Sequence, residues 1–555
     1  MSQPSEKTDT ATTDEAGSYS VESMNHLGLV AAMVDELGLV ECIDAMMPQA
    51  LNHRTVSIGL AVKAMILMGL GYVQRTLYLT PQFFRGKALD RLLGPGILAE
   101  HLNDDILGRA LDAIYTYGPT EWFGLIAAQA VKRLGLSTPI GHLDSTSLHT
   151  DGAYAGSDDD DDDEPVIRVT HGYSRDHRPD LKQVVTQFIC ENQAGIPVFM
   201  KSLSGNSNDQ TDFRATVKSH IEGLKEGVGL KYLVADSALY TAETLQQLGG
   251  FGWISRVPET LTLAREMTLA VAPDLACNPE PLSYRAICVT YAGIRQRWLV
   301  VHTHAARQRA EKTLRKQHLT LSEAESKAFK HLQGQTFACE ADATAALQAF
   351  CQTLKLTEVH EPQIIASPRR KRGRPGKNQT PDTYDYLIQG TLSCPIERYQ
   401  HKLLRKSCFI VATNELDQAA LPDERLLECY KKDQQKVERG FRFLKDPVFL
   451  SSTLFLKTPR RIMALMAIMT LCLLVYAAVQ WRVRQALQHS QQTYPDQKGK
   501  PNSRPTARWV FQSFIDISVL HVSSLKTFVV GLTAAQKALL TLLGDRYVAL
   551  YANSG

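Results

Sequence analysis

None of the ten cysteines stands in a C-x2-C pair, which argues against both a disulfide scaffold and a zinc ribbon. No sign of charge is in excess. Sixty-one Lys and Arg against 58 Asp and Glu leave a net +3, so any affinity for nucleic acid must come from local clustering. The first residues are rich in Ser, Thr, Asp and Glu and lack a basic stretch followed by an apolar one, so no signal peptide is read and a reducing, cytoplasmic setting is expected. Internal repeats are absent. What is present is ordinary globular composition, 44% hydrophobic and 21% charged, over 555 residues. That length predicts about three or four folding units.

One apolar run stands out. No charge interrupts Ile462 to Trp481, and Arg460, Arg461, Arg482 and Arg484 flank it. Twenty such residues would span a bilayer, and so would a helix buried on all sides of a protein core. Arginines at both ends give no orientation bias. The expectation is a buried helix and no membrane partner; an anchored protein is the alternative.

The chain divides by pattern. Residues 1–19 read as a disordered tail and 20–137 as an all-helical domain whose own chemistry the pattern does not show, with apolar residues at helical spacing and prolines at Pro81, Pro95 and Pro119. Residues 138–257 read strand, strand, strand, helix, strand, helix, strand. Three strands able to pair antiparallel, followed by strands joined through helices, predict a mixed α/β sheet with flanking helices. A largely β insertion is expected over 258–422. Residues 423–490 would hold an acidic helix and the apolar helix, and 491–555 a linker and two short helices.

Asp144 is placed just past a short first strand, and Asp236 at the end of the fourth. If those strands are neighbours, the two carboxylates meet at a sheet edge where clefts form. Glu438 lies on a later helix. Three carboxylates suit a hard divalent cation, Mg²⁺ or Mn²⁺. Two ions about 3.5–4 Å apart would activate an oxygen nucleophile and stabilise the leaving oxygen of a phosphoryl transfer. Without further support, aspartates at strand ends are solvated or capping residues.

Support comes from a series of motifs in fixed order: HLDSTSLHTDG at 142–152, HGYSRDHRPDLKQVV at 171–185, GNSND at 205–209, LVADSALYT at 233–241, ISRVPET at 254–260 and KVERGFRFLKDP at 436–447. Over essentially its whole length the chain resembles the transposases of bacterial insertion sequences. These are DDE-class enzymes with an RNase-H-like catalytic domain, and the likeness is to the branch with a Y-x2-R-x3-E-x6-K signature and a long insertion before the Glu. The resemblance implies Asp144, Asp236 and Glu438 as metal ligands and catalytic residues. It also implies Lys445, at the signature's spacing from Glu438, beside the DNA. Two signature positions depart: Gln434 stands where the arginine would be and Lys431 where the tyrosine would be, with Tyr430 one residue off. The acidic run Asp158–Glu164 has no place in the pattern and reads as a solvated loop.

Physics independent of the family adds to this. Seven residues is close to two helical turns, so Glu438 and Lys445 share a face with Arg442, and Arg439 adjoins them. Such a face would suit a scissile phosphate; a surface salt-bridge ladder is the alternative. Between Val448 and Phe514 nine Lys and Arg stand against one acid, Asp496. RRKRGRPGK at 369–377 has the core of an AT-hook, with Arg372 and Arg374 able to enter a narrow minor groove. A flexible basic linker is the alternative. His142, His149, His171 and His177 lack His-x3-His spacing and paired cysteines, which favours structural or DNA-contact roles over zinc. The expected function is Mg-dependent cleavage of an element's terminal repeats and their joining to target DNA, by a homodimer on paired ends. A catalytically silent DNA-binding protein of the same descent, or a nuclease on the same fold, are the alternatives.

Overall fold

The computed structural model describes residues 19–47, 55–72, 77–150, 166–174, 178–369, 383–433, 456, 458–523 and 526–554. Glu438, Arg439, Arg442, Lys445, Arg372, Arg374, His177 and the acidic run 158–164 lie outside the described residues. The chain forms two compact units, one of Met1–Ile254 with Glu424–Gly555 and one of Ser255–Asp423.

The first unit opens on a short strand, β1 (Ser20–Ser23), where only helices were expected. Helices Leu27–Glu36, Leu39–Met46, Ile58–Gly69, Asp104–Tyr117 and Pro119–Arg133 follow. Ser57 and Asn103 cap two of them, accepting from Leu60 N at 3.1 Å and Ile106 N at 3.1 Å. A sheet comes next: β2 (Ile140–Thr150), β3 (Lys182–Glu191), β4 (Pro197–Leu203), β5 (Tyr232–Ala235) and β6 (Gly252–Arg256), in the order β4-β3-β2-β5-β6. β2, β3 and β4 are antiparallel, and β5 joins β2 in parallel. Helix Asp209–Val228 carries the crossover to β5, and helix Ala242–Leu248 lies between β5 and β6.

The second unit holds helix Thr262–Ala276, strands β7 (Leu282–Tyr291) and β8 (Ile294–Thr303), helices His304–Gln333 and Glu340–Thr353, strands β9 (Glu358–Pro368) and β10 (Tyr384–Ser393), helix Ile396–Ser407, and β11 (Cys408–Thr413). β8 pairs antiparallel with both β7 and β11. β9 and β10 form a separate hairpin above a small core of Phe329, Leu332, Ala343 and Ile388. The expected largely β insertion is therefore corrected to a mixed α/β unit. Among the described residues its four helices, of 15, 30, 14 and 12 residues, carry more chain than its five strands, of 10, 10, 11, 10 and 6. The physical reason is the Ala-, Glu-, Lys- and Leu-rich run from His304, which favours helix.

After Asp423 the chain returns to the first unit. Helix Pro459–His489 packs against helices Leu27–Glu36, Ile58–Gly69, Asp104–Tyr117 and Pro119–Arg133 and against β4. Among the described residues it is the one helix long and apolar enough to cross a membrane, and its apolar stretch is 89% buried in the protein. Protein packing accounts for its composition. The flanking arginines serve the same packing. Arg461 makes two 2.7 Å bonds to Asp112, Arg460 lies 5.5 Å over the Tyr115 ring, Arg482 sits 3.1 Å from Glu36, and Arg484 donates to the Pro505 carbonyl at 2.9 Å.

The C-terminal segment holds more than the two helices expected. A small hairpin, β12 (Tyr494–Pro495) with β13 (Pro501–Asn502), precedes helix Ala507–Ser513. Strands β14 (Ser518–Ser523) and β15 (Lys526–Val530) then join β1 in a three-stranded sheet. Helices Ala534–Leu543 and Asp545–Leu550 close the chain.

Candidate active site

β2 lies between β3 and β5 and reads IGHLDSTSLHT, yet nine of its eleven residues are buried. It pairs with β3 along ten consecutive residues, Gly141↔Glu191 to Thr150↔Lys182. Asp144 consequently lies inside a long strand, not just past a short one. Continuous backbone pairing with β3 keeps β2 extended past Asp144 through its Ser and Thr residues.

β5 meets β2 through Ile140↔Tyr232, Gly141↔Leu233 and His142↔Val234 and ends at Ala235. Carried two residues onward, that register sets Asp144 level with Asp236. Adjacent strands lie about 4.8 Å apart, and partners in a parallel pair face the same side. Asp144 is half-buried and Asp236 exposed, so the pair marks the step from sheet to solvent. Each carboxylate is oriented by a nearby amide: Ser145 N donates to Asp144 Oδ1 at 2.7 Å, and Ala238 N to Asp236 Oδ1 at 2.9 Å. Thr241 then caps the helix that follows Asp236, and Tyr240 packs edge-on to Trp253 at 5.9 Å, which pins the turn from below. The turn Cys429–Asp433 packs against β5. Glu438 follows five residues later in sequence.

Two motifs distant in sequence meet beside this strand. Thr170 pairs with Gln183, Gly205 N donates to the Arg168 carbonyl at 3.0 Å, and Gln183 Nε2 donates to the carbonyls of Gly205 at 2.7 Å and Tyr173 at 3.2 Å. A Cβ on Gly172 would overlap the Gly205 carbonyl, and one on Gly205 would overlap the Gln183 carbonyl. The glycines of HGYS and GNSND are thus required by backbone-to-backbone contact. Gln183 and the glycines were not among the expected site residues. Their sequence signal was a glycine in each of two short polar motifs flanking the β3–β4 hairpin.

Glu191 is also a residue that sequence reasoning passed over. Fully buried, it accepts from the amides of Gln193, Ala194 and Ile196 at 2.6, 2.8 and 2.9 Å and so shapes the β3–β4 turn. Burial raises its carboxyl above the usual range, against the pull of those amides. Burial, with the Glu191 and Asp144 charges adding to it, likewise pushes the Cys190 thiol far up, which disqualifies it as a nucleophile. His142 and His149 are an odd number of residues apart on β2 and face opposite sides of the sheet, so they share no site. Among the described residues no group of three or more His, Cys, Asp or Glu is disposed to hold a metal. Asp144 and Asp236 supply two hard oxygen donors.

A family model described as "Domain of unknown function (DUF4277)" matches residues 19–128. No curated protein matches the chain in sequence. Among solved structures, the chain is similar to a piggyBac transposase synaptic complex with hairpin DNA. The TM-score is 0.35 and the identity 9%, over 90% of this chain and 82% of that one.

Proposed function

We propose that the chain is a DNA transposase of the DDE class, which cleaves the terminal repeats of its own element and joins them to target DNA. The observation that carries this reading is the register that sets Asp144 on β2 level with Asp236, one residue past the end of its parallel neighbour β5, in the order β4-β3-β2-β5-β6. An RNase-H-like sheet would present its catalytic carboxylates in that way, and the motif series around them supports the same reading. Hard carboxylate oxygens of this kind fit Mg²⁺ or Mn²⁺, with Asp144, Asp236 and Glu438 holding it. Bound there, the metal would favour ionisation of the attacking oxygen and neutralise charge on the leaving one.

The chain's own part is positional. Ser145 N and Ala238 N hold one oxygen of each aspartate, so neither carboxylate has to be ordered when substrate arrives. Lys445, Arg442 and Arg439 would face the scissile phosphate from the Glu438 helix. In cleavage, water or a 3′-hydroxyl forms a new P–O bond and gives its proton to solvent as the opposite P–O bond breaks, and the departing oxygen takes a proton from solvent. Two copies on paired ends, in the cytoplasm, complete the reading.

The test is incubation of the purified chain with labelled terminal DNA from the segment that encodes it, with and without Mg²⁺. Metal-dependent nicks at the ends and strand-transfer products are expected. Nicks without transfer would indicate a nuclease. Binding without nicks would indicate a silent DNA-binding protein.

A further inference from the structure

Counted in sequence, the basic face of this protein lies between Val448 and Phe514. Four of those nine cations, Arg460, Arg461, Arg482 and Arg484, are engaged inside the fold with Tyr115, Asp112, Glu36 and the Pro505 carbonyl. A second group of exposed cations stands outside that stretch. Over His304–His318 and Ile396–Ser407 nine Lys and Arg accompany two Glu, and these two stretches belong to helices that pack side by side. Cys408 pairs with His302, so one helix leaves the strand pair β8–β11 where the other arrives. His318 meets Tyr399 at 5.2 Å further along, and the helices therefore run antiparallel.

On the first helix Ala310 and Leu314 are buried, while Arg309, Lys312, Arg315 and Lys316 are exposed on the opposite side. Lys402 and Lys406 are exposed on the second. Arg307 pairs with Glu311 at 3.2 Å, but among the described residues no carboxylate pairs with any of those six. Lys312 with Lys316, and Lys402 with Lys406, are like charges at i,i+4, a spacing that destabilises a helix. The sequence thus maintains repulsion that a line of phosphates would relieve. Arg309 to Lys316 covers about 10 Å of helix axis, close to the roughly 12 Å width of a DNA major groove. The large apolar side chains exposed on the pair, Leu319 and Ile396, sit at one end of the array, and among the described residues no fully exposed aromatic lies among the cations, Tyr399 being half-buried against His318.

We propose that the outer faces of helices His304–Gln333 and Ile396–Ser407 form a phosphate-binding surface for double-stranded DNA, through Arg309, Lys312, Arg315, Lys316, Lys402 and Lys406. This rests on the reading that the substrate is DNA, and it assigns the insertion unit to holding the duplex instead of cutting it. Phosphate contacts carry no sequence information, so the surface grips any duplex alike.

The test uses the full-length chain with Lys312→Gln, Arg315→Gln, Lys316→Gln, Lys402→Gln and Lys406→Gln combined. A control carries Lys218→Gln and Lys225→Gln on the exposed side of helix Asp209–Val228. Affinity for end-containing and unrelated duplexes is measured across a salt series. The five-fold variant should keep or raise its melting temperature and lose duplex affinity on the order of tenfold or more, with a salt slope shallower by about one for each phosphate no longer neutralised. The control should change little. Unchanged affinity and slope in a folded variant, while the unaltered chain still cuts DNA in Mg²⁺, overturns the surface and leaves the transposase reading standing. A chain that neither binds nor cuts any duplex overturns that reading and this surface with it.

Discussion

Arg297 and Asp423 form a buried ion pair at the point where the second unit ends. Arg297 Nη1 lies 3.2 Å from Asp423 Oδ1, Nη2 donates to the Leu421 carbonyl at 2.5 Å, and Arg297 is only 3% exposed. A guanidinium from β8 thus fixes two nearby points of the segment leading toward Glu438. Truncating it would leave the Asp423 carboxylate facing an emptied pocket. Arg297→Ala should cost about 3 kcal/mol or more of stability, read as a lowered denaturation midpoint. Lysine should recover only part of that, because one ammonium cannot serve both partners as a planar fork does.

Asp144→Asn and Asp236→Asn should each abolish Mg²⁺-dependent cleavage while end binding stays within a few-fold of the unaltered chain. The amide keeps the volume and can still accept from Ser145 N or Ala238 N, so the fold is spared and the carboxylate charge alone is lost. Binding persists because phosphate is held by Lys and Arg elsewhere. A variant that still cleaves normally in Mg²⁺ would remove its residue from the site.

Acid should weaken the fold through His26. Its ring packs between Tyr72 and Phe511 at 4.8 and 4.9 Å, with Nε2 2.8 Å from the Leu70 carbonyl. Burial lowers its pKa to about 4, the Leu70 carbonyl opposes that shift, and the Lys87 charge adds to it. Unfolded, the same histidine titrates near 6.5. Between those values the unfolded chain binds a proton that the folded chain refuses. Stability from this group is therefore complete above pH 6.5 and falls as pH drops toward 4, by up to about 3 kcal/mol. His220 and His302, also lowered chiefly by burial, add with the same sign. His26→Phe should flatten its share of the slope, seen by comparing urea midpoints at neutral pH and near pH 5.

Residues 19–128 should not fold alone. β1 pairs with β14, Arg91 donates to the carbonyls of Leu550 and Ala552 at 2.8 and 2.7 Å, and Tyr551 Oη donates to the Asn25 carbonyl at 2.6 Å. Tyr547 Oη adds a 2.7 Å bond to Glu36. The helix Leu27–Glu36, eight of whose ten residues are buried, rests on Pro459–His489. Expressed by itself, the segment should give collapsed, poorly dispersed amide spectra; co-expression with residues 459–555 should restore a folded complex.

Much of this organisation was legible in the sequence, and the failures share a cause. KYLVAD announces a buried strand because an apolar run stops at a carboxylate; the strand ends at Ala235 and Asp236 stands one residue past it. HLDSTSLHT conceals a longer strand because its Ser and Thr are buried without being apolar, so hydropathy cut β2 short at Asp144. The β9 strand carries Pro362 and Pro368, which mask it, and its partner lies beyond residues 370–382. β1 could not be read locally at all, since its partner β14 is almost a whole chain away. Arg461 and Arg482 were counted toward a basic face because composition shows a charge but not the Asp112 or Glu36 beside it. Local periodicity is visible in one segment; pairing across the chain is not.

Replacing Leu473 or Leu474 with Asp should unfold the first unit. Both lie midway along Pro459–His489 and are 3% and 0% exposed. The helix touches four N-terminal helices, β4 and the C-terminal helix Ala534–Leu543, so no side of its middle opens to water. An aspartate there is shut away from water and must either stay charged in the core or take up a proton; either route costs several kcal/mol, a large part of a domain's stability. Leu474→Met, which keeps the volume, should cost less than about 1.5 kcal/mol and separate charge from shape. Because this helix also supports β4, at the edge of the sheet that carries Asp144, cleavage should fail together with folding in the Asp variants and survive in the Met variant. An Asp variant that stays folded and active, and merely leaves a membrane fraction, would show instead that the helix serves as an anchor.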